Sequence, residues 1–305
     1  MTYSFYTVDV FTDTIFGGNQ LAVFPNAEGL SSEIMQKIAA EFNFSETVFI
    51  VESTVKNATK KLHIFTPTQE LPFAGHPTLG AAYILGITDD IINKNNDVNI
   101  TFEEGVGLVT IKIKFNNKQP IYTELTSPQL PEFSDKVPSI EELASILSLD
   151  IEDFRQDKYS TQAVSCGLPF LFVPLHNREA LKQIKLNSDR WQQILENSWA
   201  SSLYVFCFDP ENKGSNIRAR MFAPGLGVAE DPATGSAATA FGGYLGIRET
   251  EKDGIFNWRI EQGFEMGRPS FLEVRTEKAD GKINNICVGG SSVLVTKGTM
   301  EIPTS

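Results

Sequence analysis

Two stretches of this chain share residue types that suit an anion-binding turn, and they share them at a fixed separation. Glu70-Leu-Pro-Phe-Ala-Gly-His-Pro-Thr78 is answered by Glu230-Asp-Pro-Ala-Thr-Gly-Ser-Ala-Ala238. Glu70/Glu230, Pro72/Pro232, Gly75/Gly235 and His76/Ser236 fall in step, each pair 160 apart (230 − 70, 235 − 75). Each copy runs into small, helix-prone residues, Leu79 to Leu85 and Thr239 to Leu245. Pro and Gly ahead of a helix leave backbone N–H groups at its start, and these groups with the helix dipole attract anions. A carboxylate or enolate held by two such starts is what proton abstraction beside a carboxylate requires. The same small residues also suit close packing of two helices.

His76 and Ser236 take the same place in the two copies, which points to polar groups facing one ligand. Asp231 at the second helix start can contact that ligand or cap the helix. Glu46 opens the apolar strand Thr47 to Val51, where a carboxylate either meets solvent or, partly desolvated, has its pKa raised towards neutrality. Asn19 follows Gly17 and Gly18 as a turn residue or a ligand contact. His63, in a strand, and His176, after one, read as structural or exposed.

The echo reaches upstream. Phe65-Thr-Pro67 matches Phe222-Ala-Pro224, and Phe49 to Phe65 spans the same 16 residues as Phe206 to Phe222. Four landmarks in one order imply a duplicated unit of about 150 residues, the size of a domain. Alternation or apolar runs mark strands at Ser4 to Val10, Gln20 to Phe24, Lys61 to Phe65, Gly107 to Phe115, Gly167 to Val173, Tyr204 to Phe208, Ile217 to Phe222 and in a closing meander after Ser270. Leu108, Ile111, Ile113 and Phe115 are read as the apolar side of the hairpin there. Helices are expected after Ser31 and after the capping box at Ser139-Ile-Glu-Glu142. Asp89 to Val98 reads as an exposed connection and residues 116–121 as the linker between halves. The class is α+β, with one long amphipathic helix per half inside a curled sheet.

Composition narrows the partners. The 305 residues carry a net charge of −12, with 41% hydrophobic and 21% charged residues. Lys and Arg do not cluster with aromatics, so nucleic acid and anionic membrane surfaces are not expected partners. No signal-like start and no 20-residue apolar run is present, which points to a cytoplasmic chain. Three widely spaced cysteines, Cys166, Cys207 and Cys287, read as reduced thiols, and with three histidines they offer no metal spacing.

On Asp9-Val-Phe-Thr12, Gly18-Asn19, Phe44-Ser-Glu-Thr47, the two Gly motifs and Gln262-Gly to Met266-Gly-Arg-Pro-Ser270, the chain resembles the phenazine-biosynthesis PhzF-like isomerases, which share the diaminopimelate epimerase fold. The resemblance implies two similar domains, each a barrel-like mixed sheet around a central helix, with residues 1–118 plus 292–305 in the first and 119–291 in the second. It implies an isomerase with no metal or organic cofactor, acting in the interdomain cleft on a small carboxylic acid; a homodimer is one assembly open to it. Glu46 matches the family's acid/base. His76, Asp231 and Ser236 match its polar substrate contacts, with Gly75 and Gly235 giving backbone amides and Asn19 joining them. Related racemases place a cysteine immediately before each motif Gly, where this chain has Ala74 and Thr234, so a proton shift by one carboxylate is expected rather than two-thiol stereoinversion. Gln20 stands where the phenazine enzyme has Pro, and Arg268 receives no role.

Overall fold

In a computed structural model, residues 1–88 and 96–302 are described; most of the connection expected at Asp89 to Val98 therefore lies outside them. The chain divides into two units, residues 1–128 with 289–305, and residues 129–288.

The first unit opens with β1 (Thr2–Val10), β2 (Asn19–Phe24), α1 (Ser32–Phe42), β3 (Glu46–Val51), β4 (Lys60–Phe65), β5 (Glu70–Leu71) and α2 (Gly75–Thr88). β6 (Val98–Glu104), β7 (Gly107–Asn116) and β8 (Gln119–Thr126) follow. β1 pairs antiparallel with β2, β2 parallel with β3, β3 antiparallel with β4, β4 antiparallel with β5 and parallel with β6, and β6 antiparallel with β7. Residues 116–121 are not a linker. β7 and β8 pair through them in a tight hairpin, with Asn117 and Lys118 in the left-handed region that such a turn requires.

The second unit contains β9 (Glu132–Ser134), α3 (Ile140–Leu147), β10 (Gln162–Ser165), β11 (Pro169–Pro174), α4 (Arg178–Gln183), α5 (Ser188–Leu195), β12 (Ser202–Cys207) and β13 (Ile217–Ala223). Then come β14 (Val228–Asp231), α6 (Gly235–Gly246), β15 (Gly254–Gln262), β16 (Ser270–Ala279) and β17 (Lys282–Gly290). The pairings from β10 to β16 repeat those from β1 to β7 in order and sense. The last strand, β18 (Ser292–Glu301), pairs antiparallel with β1 in the first unit.

The duplicated helices begin at the duplicated glycines, α2 at Gly75 and α6 at Gly235. Neither central helix is amphipathic. Every residue from Gly75 to Gly86 is buried, because α2 touches β1, β2, β3, β7 and β8 and has no solvent face. The amphipathic helix of this unit is α1. Ser31 caps it by accepting from Ile34 N–H, and Met35, Ile38 and Ala39 pack it on Phe24, Phe49 and Phe65.

Strand register corrects one sequence equivalence. Phe49 pairs with His63 on β4, and Val205 pairs with Arg220 on β13. Since His63 and Arg220 correspond (220 − 63 and 222 − 65 are both 157), Phe49 corresponds to Val205 rather than Phe206. A shift of one residue changes the face. Phe49 indeed faces the α1 layer, whereas Phe206 stacks on Phe241 and Tyr244 of α6. Similarly, β7 buries Val109, Ile111 and Ile113, leaving Leu108 exposed on the other face.

Candidate active site

In the first unit three sequence-predicted residues converge. Glu46 starts β3 and shares a face with Val48 and Ile50, so it lies over the start of α2. Its side chain is 15% exposed, and Oε2 lies 3.4 Å from Nε2 of His76, which is 6% exposed. The two atoms approach within contact distance, without the alignment of a hydrogen bond. Asn19, buried on β2, brings Nδ2 to 3.4 Å from Nδ1 of the same ring. Burial pushes the His76 pKa down to about 3, against a smaller opposing contribution from the Gln20 backbone. The imidazole is therefore neutral at physiological pH, a polar neighbour of Glu46 rather than a positive charge. Gly75 and His76 occupy the first turn of α2, whose N–H groups have no carbonyl four residues back.

In the second unit Asp231 ends β14 and Gly235 and Ser236 begin α6. Asp231 is buried, and its Oδ2 accepts a 2.5 Å hydrogen bond from Thr234 Oγ1. Burial, and to a smaller extent the Asp231 charge, raises the pKa of the Tyr204 hydroxyl on β12. Ser236 is half-buried. Among the described residues no group of three or more His, Cys, Asp and Glu is placed to hold a metal, and no helix is long and apolar enough to cross a membrane.

The phenazine biosynthesis-like protein family matches residues 8–298. An uncharacterized isomerase of Mesorhizobium japonicum is 34% identical over 99% of this chain and 99% of its own. A Pseudomonas aeruginosa trans-2,3-dihydro-3-hydroxyanthranilate isomerase is 32% identical over 97% of this chain and 98% of its own. The crystal structure of a Bacillus anthracis phenazine biosynthesis protein of the PhzF family superposes with a TM-score of 0.87 at 26% identity, covering 99% of this chain and 100% of that one. This chain belongs to the phenazine biosynthesis-like family. It is an isomerase.

Within this PhzF-like chain the motif glutamates act as latches. Glu230 receives Arg220 Nε and Nη2 at 2.8 Å each, and Glu70 Oε1 lies 2.7 Å from His63 Nδ1 on the corresponding strand. A second pair also repeats: Lys61–Glu103 at 3.2 Å and Arg218–Glu261 at 3.2 Å. Each latch ties the strand before the motif to the motif or to the strand after the helix.

Sequence reasoning left the Gln262-to-Ser270 stretch without a role. Gln262 is fully buried; its Nε2 donates to Asp231 O at 2.8 Å and Thr234 Oγ1 at 3.0 Å, and its Oε1 accepts from Thr234 N–H at 3.3 Å. Gly263 follows with φ +78, and a Cβ there would lie 2.5 Å from Pro232 O. This stretch is therefore the clamp on the second motif. Glu265, its acidic member, receives Arg218 Nη2 at 2.9 Å. The motif offset of 160 hid the correspondence, because the clamp recurs at 158, in Glu104-Gly105 (262 − 104).

Proposed function

We propose that this PhzF-like enzyme moves a proton within a small unsaturated or amino-substituted carboxylic acid, with Glu46 as the acid/base. The observation that supports it is the placement of Glu46 beside a neutral His76 at the start of α2. The helix start receives the substrate carboxylate through the backbone amides of Gly75 and His76. Glu46 takes a proton from one carbon, leaving an enolate-like anion, and returns it to another carbon on the same face. The proton count closes on the enzyme itself. Neutral His76 and Asn19 orient the substrate without competing for that proton. Asp231, Gly235 and Ser236 form a second helix start of like design within the second unit.

A racemase remains the rival enzyme class, and the thiols speak against it. Cys166, Cys207 and Cys287 are all buried, none stands before a motif Gly, and burial pushes the Cys207 thiol up to about 11. The deciding experiment is incubation with small carboxylic acids in heavy water, read by NMR. The panel begins with trans-2,3-dihydro-3-hydroxyanthranilate, the acid named for a relative. Solvent deuterium at a carbon with double-bond migration supports the proposal; stereoinversion without migration points to the racemase; no exchange with any acid removes both.

A further inference from the structure

The strand that follows α2 ends in a buried acid that the proton-transfer scheme does not use. Glu104, at the end of β6, is 6% exposed. Its Oε1 lies 2.8 Å from Thr78 Oγ1, and Thr78 Oγ1 lies 2.8 Å from the carbonyl oxygen of Ala74. Three oxygens in a row need two protons, and the threonine supplies one. If that proton goes to Ala74 O, Glu104 can sit at 2.8 Å only by donating its own. If Glu104 is a carboxylate, it takes the threonine proton, and Thr78 Oγ1 faces Ala74 O with nothing between. Glu104 Oε2 is buried and has no hydrogen-bond partner among the described residues, an arrangement that a carbonyl oxygen tolerates far better than a carboxylate oxygen does.

The second half offers a control built into the same chain. Lys61 pairs with Glu103 across β4 and β6 as Arg218 pairs with Glu261 across β13 and β15, so Glu104 corresponds to Gln262. Gln262 is a neutral donor, and it too donates to the hydroxyl of a threonine at the helix start. The glycine after each packs on the motif proline, with a Cβ of Gly105 2.7 Å from Pro72 Cα and one of Gly263 3.0 Å from Pro232 Cα.

We propose that Glu104 is a positioning residue, a neutral carboxylic acid whose proton fastens the start of α2 through Thr78 and Ala74, and that its ionisation at alkaline pH loosens the turn carrying Gly75 and His76. The functional consequence rests on the role given to that turn above. The other titratable groups around it are accounted for. Lys61, His63, Glu70 and Glu103 line with Glu104 a cavity of about 430 Å³, but they pair among themselves, Lys61 with Glu103 and His63 with Glu70. His76, on α2 itself, is neutral. Burial raises the Glu104 pKa to about 8, opposed in part by the hydrogen bond that Thr78 gives the ionised form.

Infrared difference spectroscopy and amide hydrogen exchange test this without any substrate, so their outcome stands apart from that of the proton-transfer assay. The wild-type chain should show a carboxylic-acid carbonyl band near neutral pH that vanishes as pH rises through about 8. Glu104→Gln, which installs the group found in the second half, should lose that band. Exchange protection at Gly75 to Leu79, corrected for the intrinsic pH dependence, should fall over the same range in the wild type and stay level in Glu104→Gln. Thr78→Val, which removes the acceptor and leaves the acid, should shift the band to higher frequency. The absence at neutral pH of a band removed by Glu104→Gln overturns the proposal. So does wild-type protection that stays level through about pH 8, a measurement that needs no variant to fold.

Discussion

At the register position where the first half carries Glu46, the second half carries Ser202 (202 − 46 and 205 − 49 are both 156). Around that position the halves are built alike: a parallel strand pair, a central helix opening on Gly, a Glu latch and a clamp residue after the helix. The difference lies in what the shared frame holds. The first half holds one carboxylate over a neutral imidazole. The second holds Asp231 in a hydrogen bond from Thr234 of its own motif, its charge felt by Tyr204. A duplicated frame thus fixes geometry twice, while the acid/base proposed here is a feature of one copy alone.

The largest contrast should appear in the latches. Arg220 meets Glu230 through two bonds, is 9% exposed and also donates to Leu181 O and Ile184 O. Removing it strands a largely buried carboxylate, so Arg220→Ala should cost about 3 kcal/mol or more of stability. The corresponding His63 is 25% exposed and its partner Glu70 44%, so His63→Ala should cost under about 1 kcal/mol. Equal losses in urea unfolding would mean that the latches are not equivalents of different strength.

The imidazole gives an effect of similar size. His76 has its folded pKa depressed from 6.5 to about 3, so the unfolded chain binds a proton over that interval and the folded chain does not. Stability from this group is present above about 6.5 and is lost as pH falls towards 3, by up to roughly 4 kcal/mol. Thermal unfolding of His76→Asn should lack that share of the acid limb. The second half, with Ser236 in the same place, contributes no such limb, and Ser236→Ala should leave it unchanged. An unaltered limb in His76→Asn would locate the acid sensitivity elsewhere.

Smaller in energy is the catalytic asymmetry itself. Glu46→Gln keeps shape and hydrogen bonding but cannot exchange a carbon-bound proton, and turnover should fall by roughly 10²-fold or more. Ser202→Ala, at the matching site, should turn over at close to the wild-type rate. Comparable losses in both variants would break the assignment of the acid/base to one half.

The frame was legible in the sequence where spacing is rigid, and hidden where it is not. Gly75 and Gly235 could be matched because no loop interrupts the nine-residue motifs. The Phe49 match slipped by one residue because β3 and β12 are buried on both faces, so no alternation of polar and apolar residues reveals which side chain faces which layer. Glu104 and Gln262 escaped notice because they differ in chemical type and their offset differs from that of the motif by two. Their kinship is visible only through the paired charges beside them. Asp231 read as a cap or a ligand contact, and the hydrogen bond from Thr234 accounts for one of its oxygens without deciding between the two.

The smallest effect expected is at the thiols, and it bears on the halves directly. Two-thiol chemistry needs a cysteine before each motif glycine, and those places hold Ala74 and Thr234. Thr234 is already committed, donating to Asp231 and receiving from Gln262. Ala74 is committed through its carbonyl, which Thr78 approaches with both its N–H and its hydroxyl. Cys166, Cys207 and Cys287 all lie in the second unit and all are buried. Burial holds Cys207 protonated at neutral pH, which withholds the thiolate that proton abstraction would require. Replacing all three with Ser should therefore lower stability, by about 1 kcal/mol per buried site, and leave the turnover of the folded protein within about twofold of the wild type. A folded triple variant that has lost turnover would return thiol chemistry to the enzyme and remove the reason for assigning the proton to Glu46.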